Sequence, residues 1–298
     1  MRVIIFGCGY VGRNLAPAFV EEGHEVWIHS RNPASLESVV SVPPEHRVAG
    51  NLHDEDWHPA LEGDWDVVFN LVSSAGGGID GYRISYLEGN RSIQKWARAR
   101  TVGRFIYTSA TSVYPQSDGR WVTEEDVPDV AELSASGRIL REAEMEILQS
   151  GVFERTAIAR LAGIYGPGRH LYLNSLLEGL PELPGDGSAW LNLIYLKDIV
   201  SALKLLALTD QLGSSEILNV VDDVPTRKQA IVDWLAGELG KPTISFNKEF
   251  QGSRAKRRTT STGLPNRRVS NARFKALCDW QPTFPSFREG YADILGKA

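Results

Sequence analysis

The tightest constraint on this chain lies in its first fifteen residues. There the apolar run Val3-Ile4-Ile5-Phe6 breaks into Gly7-Cys8-Gly9-Tyr10-Val11-Gly12 and resumes with helical spacing. An apolar run ended by glycines reads as a buried strand, and the pattern behind it as a helix, so the turn between them must be short. Each glycine has its own reason to be there. Gly7 permits the tight turn, Gly9 lets the backbone approach a pyrophosphate with no Cβ in the way, and Gly12 lets the helix pack on the strand. The free N–H groups of the helix start, at the positive end of its dipole, receive the anion. A second strand, Glu25-Val26-Trp27-Ile28, follows Glu22-Gly23 and completes the context the motif requires. The stretch therefore predicts the dinucleotide-binding turn of a βαβ unit, with Tyr10 and Val11 in the loop.

The end of the second strand, about twenty residues past the glycines, is where such a unit reads the adenosine ribose. An acidic side chain there accepts from the 2′-hydroxyl and repels a 2′-phosphate. This chain has Ser30 and Arg31 instead, and a hydroxyl beside a guanidinium fork suits a phosphate. NADP is thus favoured over NAD.

Further along, a third strand is expected near Arg47-Val48-Ala49, then Asn51-Leu52 and an acidic helix start at His53-Asp54-Glu55-Asp56. The carboxylates there read as helix N-terminal charges, and no metal site is expected from His53 and His58. The nearly continuous apolar run Asp66 to Val72 predicts a parallel strand covered on both faces. It ends in Ser73-Ser74-Ala75-Gly76-Gly77-Gly78, a loop at the carboxyl edge of the sheet, where ligands of open α/β sheets bind. A helix is expected over Tyr86 to Arg100, a fifth strand over Arg104 to Thr108 and a sixth over Thr156 to Leu161.

These residues carry a family resemblance. The runs "RFIYTSATSVYP" (Arg104 to Pro115), "RLAGIYGPGRH" (Arg160 to His170), "LNLIYLKDIVSAL" (Leu191 to Leu203) and "ILNVVDDVPTRKQ" (Ile217 to Gln229) resemble the successive signatures of the extended short-chain dehydrogenase/reductase family, the NAD-dependent epimerase/dehydratase group. The likeness runs in order to the C-terminal "CDWQPTFPSFREGYADIL". It implies a doubly wound parallel (Rossmann) α/β sheet with a smaller C-terminal α/β substrate lobe. Residues 1–165 are expected to form the Rossmann domain and 166–298 mainly the lobe, with 191–220 returning to the sheet and a substrate cleft between the two. The cofactor is expected on Gly7, Gly9, Tyr10, Val11 and Gly12, with Ser30, Arg31, Asn51 and Leu52 at the adenosine end. Leu71, Ser73, Thr108, Arg138 and Leu161 are expected toward the nicotinamide. Homodimerisation through the helices after the fourth and fifth strands is a family habit.

The catalytic positions depart from the pattern. Where the family has a Ser or Thr before its "SVY" stretch, this chain has Ala110. The family's Tyr-x-x-x-Lys falls on Ser134 and Arg138, and no Tyr lies between Tyr114 and Tyr165. An unassisted serine hydroxyl cannot be tuned into the same proton carrier, and a positioned acid or base contributes about 10²–10⁴ in rate. Arg138 keeps a positive charge for the nicotinamide ribose. The candidate proton donors are Tyr165, Ser134, Thr111 through a water, or the substrate itself. Arg169 and His170 are candidate substrate contacts beside Thr111. Three readings follow: an NADP-dependent reductase or isomerising enzyme with another proton donor, a catalytically silent NADP-binding sensor or partner-binding module, or a nucleotide-sugar epimerase/dehydratase.

Composition narrows the partners. A net charge of −5 gives no basic face for nucleic acid. The two cysteines form no disulfide framework, which fits a cytoplasmic setting. No segment reads as a membrane span or a signal peptide. A small-molecule substrate is expected, and the basic stretches Arg254 to Arg258 and Arg267-Arg268 suit an anionic one.

Overall fold

The computed structural model describes residues 1–74, 76–126, 130–249 and 263–296. Seven strands form one sheet: β1 (Arg2–Phe6), β2 (Glu25–Ser30), β3 (Arg47–Ala49), β4 (Trp65–Asn70), β5 (Val102–Ala110), β6 (Arg155–Leu161) and β7 (Ser215–Val220). Their spatial order is β7-β6-β5-β4-β1-β2-β3. The pairs around β1 are parallel and in register, with Ile5 opposite Ile28 on one side and Phe69 on the other. β2 with β3 and β4 with β5 are parallel too. Thr156 N–H donates to the Ser214 carbonyl and Ala162 N–H to that of Val220, an equal advance that makes β6 and β7 parallel. The chain moves outward from β1 first toward β3 and then toward β7. The order therefore reverses between β1 and β4, the place where open α/β sheets bind ligands.

The strands are apolar because both faces are covered. Val3, Ile4, Ile5 and Phe6 are all fully buried. On one face Phe6 meets Trp57 and Trp96 edge-on, at 4.8 and 5.9 Å between ring centres. Both indoles also satisfy their N–H groups, Trp57 on the Leu52 carbonyl and Trp96 on that of Leu61. These aromatic contacts lock the loop after β3 onto the end of β1.

The chain divides into two compact units that interleave in sequence. The first comprises Met1–Ala110, Arg138–Arg160 and Ile199–Leu218, the second Thr111–Gly137, Leu161–Asp198 and Asn219–Ala298. The sequence expectation of a break at residue 165 is corrected accordingly. Within the segment 191–220, Ser215–Val220 supplies the seventh strand of the sheet, whereas Leu193–Tyr195 pairs with Gly163–Tyr165 in a separate two-stranded sheet. The second unit has its own apolar cluster, built on Tyr165, Leu173, Leu176, Tyr195, Leu235, Phe287 and Tyr291.

Two local expectations also change. Residues His53 to Asp56 form turns rather than a helix start, and the helical piece between β3 and β4 is the 3₁₀ turn His58–Ala60. The helix expected from Tyr86 begins earlier, with α-helical turns at Gly78–Tyr82 and Gly89–Ala97 on either side of a π-helical stretch, Arg83–Glu88. No helix among the described residues is long and apolar enough to cross a membrane.

Candidate functional site

The glycine turn joins β1 to a helix at Gly12–Val20, and its backbone is stitched to the neighbouring strand. Gly7 N–H and Cys8 N–H both donate to the His29 carbonyl, at 3.0 and 3.2 Å. Gly7 has φ +97°, and a Cβ there would lie 2.7 Å from Val72 N, so no other residue fits. A Cβ on Gly12 would run into the Gly7 carbonyl oxygen, which is why the helix can sit so close to the turn. Gly9 differs from both, because a Cβ on it would meet nothing within 4 Å. The space over Gly9 is open, as a close backbone approach by a ligand requires.

That turn forms one wall of a cavity of about 310 Å³ at the carboxyl edge of the sheet. The cavity brings together Gly7 and Gly9, Ser30 and Arg31, Asn51 and Leu52, and Leu71 and Ser73. Eight sequence-predicted cofactor residues from four separate segments thus line one space. Tyr10, Val11 and Gly12 do not line it: Val11 and Gly12 are buried beneath the turn, and the Tyr10 ring lies 5.6 Å from the Arg13 guanidinium. Ser30 Oγ accepts from Asn32 N–H, and Asn32 in turn caps the short helix Pro33–Glu37. Arg31 is exposed between them and has no ion-pair or hydrogen-bond partner among the described residues.

Two of the lining groups that sequence reasoning missed are His29 and Cys8. His29 is 1% exposed, and neither ring nitrogen has a partner among the described residues. Burial lowers its pKa to about 4, so the imidazole is neutral and offers one donor and one acceptor at the cavity floor. Its place on an apolar strand hid it. Cys8 also lines the cavity, but burial pushes its thiol up to about 11 and its Sγ donates to the Ser35 carbonyl, so it is no nucleophile.

The nicotinamide-end and catalytic expectations fare differently. Thr108 is buried and its Oγ1 donates to the Asn70 carbonyl, which ties β5 to the end of β4. Arg138 is exposed on the helix Ala135–Gln149. That helix is anchored by a buried ion pair: Glu144 accepts from Arg160 Nε and Nη2 at 2.9 and 2.6 Å, and from Ser109 Oγ at 2.7 Å.

In the second unit, Ser134 caps a helix: its Oγ accepts the Gly137 N–H at 3.1 Å just ahead of that helix and lies 3.3 Å from Ser136 Oγ. The expectation of Tyr165 as proton donor is corrected. It is fully buried, stacked on Tyr291, and its hydroxyl donates to the Ser286 carbonyl. Burial raises its pKa far above the phenol range, so it is core rather than catalyst. Thr111 is buried and its carbonyl accepts from Arg267 at 2.6 Å, which ties that arginine to the segment after β5. Arg268 likewise donates to the Gly119 carbonyl between two tryptophans. Leu161 is buried at the end of β6, Arg169 donates to the Ile164 carbonyl, and His170 is half-buried with its pKa lowered by desolvation. The basic stretch Arg254 to Arg258 lies outside the described residues. The described residues include no group of three His, Cys, Asp or Glu side chains arranged to hold a metal.

A doubly wound parallel sheet with a glycine turn and a cavity at its switch point defines a Rossmann-type dinucleotide-binding protein. The chain belongs to the NAD dependent epimerase/dehydratase family, whose model matches residues 3–220. It is similar to protein YeeZ of Escherichia coli, 26% identical over 264 residues that span 86% of this chain and 90% of that one. It is also similar to the 2-alkyl-3-oxoalkanoate reductase of Stenotrophomonas maltophilia, 25% identical over 82% of this chain and 77% of the reductase. Among solved structures, a functionally unknown conserved protein from Silicibacter pomeroyi superposes with a TM-score of 0.78, 24% identity and 100% and 99% coverage. MoeE5 in complex with UDP-glucuronic acid and NAD superposes with 0.80, 21% identity and 98% and 97% coverage.

Proposed function

We propose that the protein is an NADP(H)-dependent reductase of a small carbonyl substrate. The observation that carries this reading is the cavity wall formed by Ser30 and the exposed Arg31, which has no partner among the described residues, with no carboxylate at the position that would select a 2′-hydroxyl. The residues fit the cofactor. Gly7 and Gly9 would hold the pyrophosphate, Ser30 and Arg31 the 2′-phosphate, His29, Asn51 and Leu52 the adenosine, and Leu71 and Ser73 the segment beyond. When bound, the dinucleotide supplies hydride at its nicotinamide. Arg31 is suited to a phosphate because its fixed fork of donors matches the oxygens, and the open end of the cavity leaves its charge unspent.

The reductase reading is preferred over a nucleotide-sugar epimerase because the usual acid/base pair is replaced by Ser134 and Arg138, and an unassisted serine hydroxyl is not tuned into the same proton carrier. Two reductases among the relatives, the 2-alkyl-3-oxoalkanoate reductase and a 3-diazoavenalumate denitrifying reductase from Streptomyces, support the same direction. A silent sensor would share the cavity, so turnover is the deciding measurement. Unfolding is followed with NADP, NAD and no cofactor, then NADPH oxidation with carbonyl, imine and enone compounds. Stabilisation by NADP above NAD, with turnover of a carbonyl compound, is the expected result. Equal stabilisation by both refutes the cofactor assignment, and tight binding without turnover refutes the reductase.

A further inference from the structure

One wall of the cofactor cavity comes from neither the glycine turn nor the strand ends. Ile84 and Ser85 line it from the helical segment after β4, and both lie inside the π-helical stretch Arg83–Glu88. Resting on the dinucleotide reading above, we propose that Ile84 is a cofactor-binding residue, the apolar seat on which the adenine base lies together with Leu52.

Ile84 is 43% exposed, a large apolar side chain that packing among the described residues leaves uncovered. A single exposed isoleucine on a convex surface needs no explanation. This one stands in a concave site whose other apolar lining includes Leu52, Leu71 and Val72, and such sites hold flat ligands on apolar walls while a few polar groups fix the orientation. The same cavity contains Ser30, Arg31 and Asn51 from the adenosine end, whereas Thr108, Arg138 and Leu161, expected toward the nicotinamide, do not line it. Within the adenosine half, phosphates and ribose hydroxyls gain nothing from an isoleucine. The face of the base does, because contact removes apolar surface of both partners from water.

The backbone fixes Ile84 in that place. Gly89 N–H donates to the Ile84 carbonyl five residues back, the bond that makes the turn wide, and single π-helical turns of this kind occur often at functional sites. Gly89 also sets the distance to Leu52, since a Cβ on it would lie 3.1 Å from Leu52 Cδ2. The two residues proposed to hold the base therefore meet at one glycine. Two amide side chains pin the turn to the sheet: Asn90 Nδ2 donates to the Tyr86 carbonyl at 2.6 Å, and Asn70 Nδ2 donates to Asn90 Oδ1 at 2.7 Å.

The test is calorimetric titration of wild type, Ile84→Ala, Ile84→Leu and Ile79→Ala with NADP, NAD and ADP-ribose. Ile79 is 37% exposed on the preceding helical turn, Gly78–Tyr82, and does not line the cavity. Ile84→Ala is expected to lose about 5- to 50-fold in affinity for all three ligands, which share the adenine, while Ile84→Leu and Ile79→Ala bind as wild type does. Without ligand, Ile84→Ala is expected to unfold in urea no earlier than wild type, because the side chain is already exposed and alanine is the better helix former. Three results overturn the assignment: Ile84→Ala binding all three ligands undiminished, Ile84→Ala losing NADP but keeping ADP-ribose, or an apo variant so destabilised that Ile84 proves to be a packing residue. An Ile84→Leu protein as weak as Ile84→Ala does the same. The wild-type titration reports on the function separately: NAD bound as tightly as NADP ends the 2′-phosphate preference yet leaves the Ile84 comparison to be read on NAD, and binding of no nucleotide ends both.

Discussion

Replacing Gly9 with alanine separates the fold of the glycine turn from its function. A Cβ at this position meets nothing within 4 Å, and Gly9 is not among the positive-φ glycines, so the folded chain accepts the methyl group without strain. Because alanine also restricts the unfolded chain, stability without cofactor should be unchanged or rise by about 0.4–1 kcal/mol. The same methyl occupies the space through which a pyrophosphate approaches the backbone. Overlap of that kind costs about 1–3 kcal/mol, a loss of roughly 5- to 150-fold in affinity. At free NADP of about 100 times the wild-type Kd, wild type gains about 2.7 kcal/mol and the variant only about 0.3–1.8 kcal/mol. Urea unfolding with and without NADP measures both numbers on one protein. Gly12→Ala is the counterpart: its Cβ would strike the Gly7 carbonyl oxygen, so the apo protein itself should lose about 1–3 kcal/mol. A Gly9→Ala protein that retains the full NADP stabilisation would refute the reading of this turn as a phosphate cradle.

Three more outcomes are expected. Arg31→Ala should weaken NADP by about 1.5–3 kcal/mol, the range for a hydrogen-bonded charge, and leave NAD nearly untouched, as read by quenching of protein fluorescence. Glu144→Gln strips the buried Arg160 of its countercharge and should cost about 3–5 kcal/mol in urea unfolding, whereas adding Arg160→Met should recover much of that loss. Asp222 is 2% exposed and its carboxyl pKa is raised well above the usual value by burial, then by Asp223. Its contribution to stability is therefore full below the ordinary carboxyl pKa of about 3.9 and is lost as pH rises through the raised folded value. Asp222→Asn should remove that decline, so its unfolding temperature should gain on wild type as pH increases, and equal pH slopes would contradict the assignment.

Much of the sheet was legible because its strands are covered on both faces, and long apolar runs such as Val3 to Phe6 and Val67 to Phe69 have few other fates. The glycine turn was legible for a steric reason, since the three positions each demand a missing side chain or stand open to a ligand. Ser30 and Arg31 followed from distance along the chain, and Asn51 and Leu52 from the family resemblance. What remained hidden depends on partners far away in sequence. Nothing local marks Tyr165 as core, since packing around it decides that, whereas the cap at Ser134 is a local bond to Gly137 that a serine ahead of a helical run could have signalled. Leu191 to Tyr195 has the apolar pattern of a sheet strand, and periodicity alone does not say which sheet it joins. The π-helical turn at Arg83–Glu88 is held by Asn70 and Asn90, twenty residues apart, and no spacing rule signals it.

The interleaving of the two units sets the order in which a nascent chain can become protected. When β6 has left the ribosome, its outer edge stays bare until another fifty or so residues have been translated and Ser215–Val220 arrives to pair with it. Strand edges left open during synthesis are where chains adhere to one another. A fragment ending before residue 215 would keep its glycine turn and lack the strand that covers that edge, and no single cleavage point separates the two units.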